Sequence, residues 1–227
     1  MKLKIILFSI PILFITGCTT IVTKGEAFPK LYKEKPLSIL VLPPINSTTA
    51  ADANDFYLTT IAEPLSNVGY YVFPIEIVSN VMVNEGIYDS ETLLDTDPSM
   101  FNKYFGADAV LFTKIIKWDT SYTVLSGSVT VHIQFELKSA HSGELLWSYN
   151  EAVTVDTTGD NDVGGGAGLL LAILETAITT AVQDYVPIAK QVNVQVLNTI
   201  PFGKYHPQHD LDKDLQSVQS SKTNNIK

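Results

Sequence analysis

The chain of 227 residues contains no arginine, one cysteine, two tryptophans and four histidines. Without arginine there is no planar guanidinium to grip a phosphate at two points. All 15 basic residues are lysines and they face 24 acidic ones, for a formal charge of −9 and a pI near 4.8. That balance excludes a nucleic-acid reader, which needs a basic face. A single cysteine excludes an internal disulfide framework. The most apolar amino-terminal run, Ile5 to Ile15, is broken by Ser9 and Pro11 and is too short to cross a bilayer core of ~30 Å. At 45% hydrophobic and 17% charged residues the chain can bury one core, and its length suits one domain with attachments.

What is present starts at the amino terminus. Lys2 and Lys4 precede an apolar stretch of signal-peptide length, which ends in Ile15-Thr16-Gly17-Cys18. These four residues resemble the lipobox of bacterial lipoproteins. The resemblance implies that residues 1–17 are a signal peptide and that Cys18 becomes an acylated first residue, the palmitate-bearing lipidation site. Each buried methylene adds ~0.8 kcal/mol, so two or three chains hold a protein on a membrane essentially permanently. Loss of residues 1–17 removes two lysines, leaving 13 against 24 acids and a charge of −11. Thr19 stands where an aspartate would signal inner-membrane retention in the enterobacterial rule, so the expected location is the periplasmic side of the outer membrane. Residues 18–36 read as an acylated tether, whose extended reach of ~60 Å would hold an acidic body off the lipid.

Residues 37–202 read as one α/β (α+β) domain. Ser38–Leu42 is a buried-strand run stopped by Pro43-Pro44. A helix from about Asp52 carries Phe56, Leu58, Ile61 and Leu65 on its apolar side, is interrupted at Pro64, and ends at Gly69. Tyr70–Phe73 is a second strand and Ile75–Val83 a second helix. Pro98 opens a short helix to Phe105, with Gly106 beyond it. Ala109–Trp118 is a third strand. In the next, Val129, Val131, Ile133, Phe135 and Leu137 alternate with Thr130, His132, Gln134, Glu136 and Lys138, giving one buried and one wet face. His141-Ser142-Gly143 turns the chain into a return strand with Leu145, Trp147 and Tyr149. Two β–helix units and an antiparallel hairpin predict a mixed sheet with helices on one face, closed by carboxy-terminal packing helices. One of these runs through Ile188, Ala189, Val192, Val196 and Leu197, and residues 203–227 read as a polar, frayed tail.

Between hairpin and last helix, Gly164, Gly168, Ala172, Thr176 and Thr180 repeat every four residues, a stripe of small side chains on a helix that lets another backbone approach. Leu170, Leu174, Ile178 and Val182 form the adjacent stripe. A helix apolar around most of its circumference needs cover on more than one side. Both a tight core contact and docking to a second subunit or partner lipoprotein meet that need, whereas membrane insertion is opposed by Glu175 and by the shortness of the uninterrupted apolar run.

Candidate chemistry is thin. His206 and His209 have metal-like spacing, but Pro207 lies between them. Asp156, Asp160 and Asp162 lack the glutamate that would complete an EF-hand loop. Residues 163–168 are glycine-rich without the lysine of a phosphate-binding loop, and no serine sits in a nucleophile elbow. The expectation is no enzyme, no cofactor and no metal.

Three segments carry a resemblance beyond the lipobox. Ile39-Leu40-Val41-Leu42-Pro43-Pro44 resembles the opening strand of the CsgG and TolB amino-terminal class of periplasmic domains. Gly106-Ala107-Asp108-Ala109-Val110-Leu111 is similar to its second signature, and Ser142-Gly143-Glu144-Leu145-Leu146-Trp147 to its hairpin. With the glycine-rich helix and Tyr205-His206-Pro207, the chain resembles, over about residues 18–207, a family of lipoproteins of unknown function typified by a meningococcal surface antigen. Members tend to be encoded beside a CsgG-like lipoprotein. The resemblance implies a layered TolB/CsgG-like α/β domain, an outer-membrane anchor, and a structural or interaction role in an envelope secretion or assembly system. The expected partners are membrane lipid through Cys18, and a second copy or a CsgG-like lipoprotein. A regulator of a peptidoglycan synthase and an envelope hydrolase are the rival functions.

Overall fold

In the computed structural model, residues 22–118, 128–156 and 186–217 are described. The lipobox with Cys18, and the stripe Gly164, Gly168, Ala172, Thr176 and Thr180, lie outside them. Six strands form one mixed sheet: β1 (Ser38–Val41), β2 (Ile45–Asn46), β3 (Tyr71–Val72), β4 (Ala109–Trp118), β5 (Ser128–Ser139) and β6 (Leu145–Asp156). The order is β3-β1-β4-β5-β6, with β2 also on β4. β1 is parallel to β3 and β4, and β2 is parallel to β4, whereas β4, β5 and β6 are antiparallel. β1 and β2 are one run along β4 broken by Pro43 and Pro44, which have no N–H for a ladder. Leu42 N still donates to Leu111 O, and Ser47 N to Ile115 O.

The continuous apolar run of β1 reflects burial on both faces. Ile39 and Val41 point into one core with Leu111, Ile115, Phe135, Trp147 and two helices, α3 (Ala53–Asn67) and α6 (Val186–Leu197). Leu40 and Leu42 point into a second core with Val110, Phe112, Val78 and Met82 of α4 (Ile75–Asn84), and Phe101 of α5 (Ser99–Phe105). Each fully buried Leu or Ile contributes ~1.5–3 kcal/mol. Helices thus cover both faces of the parallel half, not the single face expected. The helix α3 also turns differently from the expectation: Ala53, Tyr57, Thr60, Ile61, Pro64 and Leu65 are buried, while Phe56 and Leu58 are half-exposed. Pro64 sits in its last turn, where it forfeits one hydrogen bond without stopping the helix.

The outer face of β5 is wet only in part. Thr130 meets Thr154 at 3.2 Å and His132 Nε2 lies 2.8 Å from Asn150 Oδ1, but Gln134 is 7% and Glu136 1% exposed. Near Glu136 the segment Leu94–Pro98 closes over the sheet.

The largest correction concerns the ends. Thr23 to Glu34 is folded rather than a tether: α1 (Lys24–Ala27) is followed by α2 (Pro29–Glu34), and Phe28 and Leu31 enter the core. Thr23 and Glu26 form a capping box, with Glu26 N donating to Thr23 Oγ1 at 3.3 Å and Thr23 N donating to Glu26 Oε2 at 2.9 Å. Residues 203–217 do not fray either. Ser217 N donates to Val22 O at 2.8 Å, Lys24 N to Leu215 O at 2.8 Å, and Gly25 N to Lys213 O at 2.9 Å.

Candidate functional site

Three places on the domain bear on function: the clasp between its two termini, the far end of the sheet, and a pocket on its outer face. In the clasp, Lys24 is 5% and Asp212 1% exposed. Lys24 Nζ donates to Ile200 O at 2.9 Å and Asn198 O at 3.3 Å, and lies 3.5 Å from Asp212 Oδ2. Asp212 also accepts from Phe202 N at 2.9 Å and from the Tyr32 hydroxyl at 3.0 Å. Burial pushes the Lys24 ammonium below its ordinary value, and the nearby Asp212 carboxylate offsets only part of that. A buried pair so fully hydrogen-bonded fixes geometry more than it adds stability, because desolvation opposes the attraction. Around it, Lys35 and Lys213 both reach Asp210, and Lys30 reaches Glu144.

The clasp sits at the end of the sheet where β1 and β4 begin. There Asp108 gathers the chain: its Oδ2 accepts from Leu37 N at 3.0 Å, Ser38 N at 3.1 Å and the Ser38 hydroxyl at 3.0 Å, while Oδ1 lies 3.1 Å from His141 Nε2. Gly106, at φ 73°, ends α5 and hands the chain to this turn. The glycine-alanine-aspartate signature is therefore a structural junction. A serine, a histidine and an aspartate meet here, but Ser38 donates to the carboxylate and not to the imidazole, so no base faces a nucleophile. Ser142 of the hairpin turn donates to Glu34 of α2 at 2.6 Å, tying the same end to the clasp.

The opposite end is where β4 stops at Trp118, β5 starts at Ser128 and β6 stops at Asp156. Phe56, near the start of α3, stacks on Trp118 there at 6.2 Å. Twelve residues of strand at ~3.4 Å each place this end ~40 Å from the hairpin turn. The described chain stops here at Asp156 and resumes at Val186.

The pocket, about 470 Å³, lies between Leu94–Pro98 and the outer face of the sheet, floored by Phe112, Glu136 and Lys138. Lys138 Nζ is 3.3 Å from Glu136 Oε2 and 4.9 Å from the Phe112 ring centroid. Asp97 on the rim accepts from Ser99 N at 3.0 Å and caps α5; that bond holds its carboxyl below the ordinary range. These groups are committed to one another and to the backbone, an arrangement suited to packing.

The histidines of the candidate metal pair serve the backbone. His206 Nδ1 accepts from Gln208 N at 3.1 Å and its ring stacks on Phe202 at 3.7 Å, and His209 Nδ1 lies 2.9 Å from Phe202 O. No group of three metal-ligating side chains occurs among the described residues. No helix among them is long and apolar enough to cross a membrane. Asp160 and Asp162 lie outside the described residues.

A layered mixed α/β domain with these signatures, behind a sequence that resembles a lipobox, fits a class of lipoprotein. The chain belongs to the family described as "Putative lipoprotein GNA1162-like", which it matches over residues 27–203. It is 28% identical over 173 residues to a "putative lipoprotein" of Neisseria meningitidis serogroup B, covering 76% of this chain and 80% of that one. The crystal structure of lipoprotein GNA1162 from Neisseria meningitidis is 30% identical, covers 64% of this chain and 100% of that one, and superposes with a TM-score of 0.49. The PelC dodecamer from Paraburkholderia phytofirmans is 16% identical over 82% of this chain and 91% of that one, with a TM-score of 0.42.

Proposed function

We propose that the protein is an outer-membrane lipoprotein, held on the periplasmic side through acylated Cys18, that serves as a structural and interaction component of a CsgG-like envelope secretion or assembly system. Its polarity carries this reading. The chain enters the domain at Val22 in the clasp, and β6 ends at Asp156, at the end of the sheet opposite it. β6 adds a second docking element, because a twelve-residue strand on the sheet edge has no strand partner on its outer side among the described residues. Such an edge is a template for pairing with another chain.

The test has two arms. Cys18→Ser should move the protein from the membrane fraction to the soluble fraction. A photo-crosslinking residue at Ala152 on β6, or in place of Gly168, should yield covalent dimers or adducts with an envelope lipoprotein identified by mass spectrometry. A protein that remains monomeric and uncrosslinked from both positions in intact cells would refute the docking role.

A further inference from the structure

The clasp leaves almost no tether. If Cys18 carries the lipid, only Thr19, Thr20 and Ile21 separate it from Val22, whose carbonyl is bonded to Ser217. Four Cα steps cannot span more than ~14 Å. The polar layer of one leaflet is itself ~5–8 Å thick. The surface around Val22 is therefore held within ~6–9 Å of the outer edge of the headgroup layer, whatever the rest of the domain does.

That surface is composed for the purpose. Leu215, bonded through its carbonyl to Lys24 N beside the point of chain entry, is 51% exposed, and along the same carboxy-terminal segment Leu211 is 75% and Tyr205 66% exposed. Lys204 and Lys213 are exposed in the same segment together with Asp214, and Lys35 and Lys213 share Asp210. Across residues 22–36 and 203–217 six lysines stand against five acids, while the remaining described residues hold five lysines against fourteen acids. Apolar tips beside lysines, on two segments whose six lysines and five acids nearly balance in an acidic molecule, match the chemistry of a phospholipid headgroup layer.

We propose that the clasp surface, built on Tyr205, Leu211, Lys213 and Leu215, is a second membrane contact that seats the domain on the phospholipid headgroups in a fixed orientation. The inference rests on the lipidation of Cys18. Acylation blocks the one native thiol, so an introduced cysteine can be spin-labelled alone in the full-length lipidated protein. Nitroxides at Leu215→Cys and at Leu211→Cys, both exposed positions, are compared with one at Thr154→Cys, exposed near the far end of β6. The proteins are reconstituted into phosphatidylethanolamine–phosphatidylglycerol vesicles. The expected result is a several-fold higher ratio of oxygen to nickel-chelate collision at 211 and 215 than at 154. Equal ratios at all three positions, with mass spectrometry confirming the acylated chain, would overturn the seating and leave the anchor intact. An unacylated Cys18 would overturn both. Dipolar broadening between labels at 215 would show that a second copy occupies the surface, and would also overturn the proposal.

Discussion

Asp108 illustrates how one side chain joins distant parts of this fold. Its carboxylate takes the first two N–H groups and the hydroxyl at the start of β1, and the same residue opens β4 and faces His141 at the hairpin turn. Burial alone would raise its carboxyl, but the hydrogen bonds from His141, Leu37 and Ser38 together outweigh that, and the folded value lies below the ordinary 3.8. A depressed value means stabilisation that is complete above the unfolded value and is lost as the pH falls through the folded one. Asp108→Ala should therefore cost ~2 kcal/mol near neutral pH, from orphaned donors at the head of β1. It should also flatten the loss of stability below pH ~3.8 relative to the parent. Urea denaturation at pH 7 and pH 3 measures both, and an acid limb unchanged by the substitution would assign it to other carboxylates.

Among the elements, those with a strong local period or explicit stop signals were legible in the sequence. β4 has the boundaries expected, α5 lies between Pro98 and Gly106, and the alternation of β5 placed Val129 to Leu137 on the core side. The terminal elements were hidden for different reasons. The amino-terminal one carried signals, Thr23-x-x-Glu26 as a capping box and Pro29 at a first helical position, obscured by scattered lysine and proline. The carboxy-terminal one carried no local signal, because its order comes from remote partners: Asp212 for Lys24, and Gly203 for Gly69. The buried Asn193 of α6, which donates to Thr60 Oγ1 of α3 at 2.9 Å, was equally invisible to apolar periodicity. At the Gly69–Gly203 crossing the two backbones touch. Gly203 N donates to Val68 O at 2.8 Å, Gly69 has φ +93°, and a Cβ on Gly203 would stand 2.3 Å from Gly69 O. Backbone oxygen cannot swing aside as a side chain does, so Gly203→Ala should destabilise the protein by ~1–3 kcal/mol. Hydrogen exchange should rise across residues 204–217 more than in β5. Uniform exchange through both segments would show that the crossing does not hold the tail.

At the scale of the whole molecule, the two ends of the sheet have different compositions and different neighbours. The clasp end gathers both termini of the described chain, the hairpin turn and six lysines, so its charge is close to balanced while the rest of the described chain is net acidic. If the clasp seats the domain as proposed, the β5–β6 hairpin, ~40 Å long, carries its far end at Asp156 away from the attachment point. Orientation then follows from the shortness of residues 19–21 as much as from the contact itself, and the two can be separated. Twenty glycine and serine residues inserted between Thr20 and Ile21 add a coil with a root-mean-square span of ~25 Å. Acylation and membrane retention should be unchanged, because the lipobox and Cys18 are intact. A nitroxide at Leu215 in the extended protein then reports the strength of the surface on its own. The contact then has to hold the surface without an enforced proximity, so the label should become more accessible to the nickel chelate than in the parent while staying less accessible than one at Thr154. Crosslinking from Ala152 should fall with it, since partners aligned at a fixed height would lose register. Unchanged crosslinking in a protein whose Leu215 label has left the headgroup layer would show that assembly does not depend on how the domain is seated.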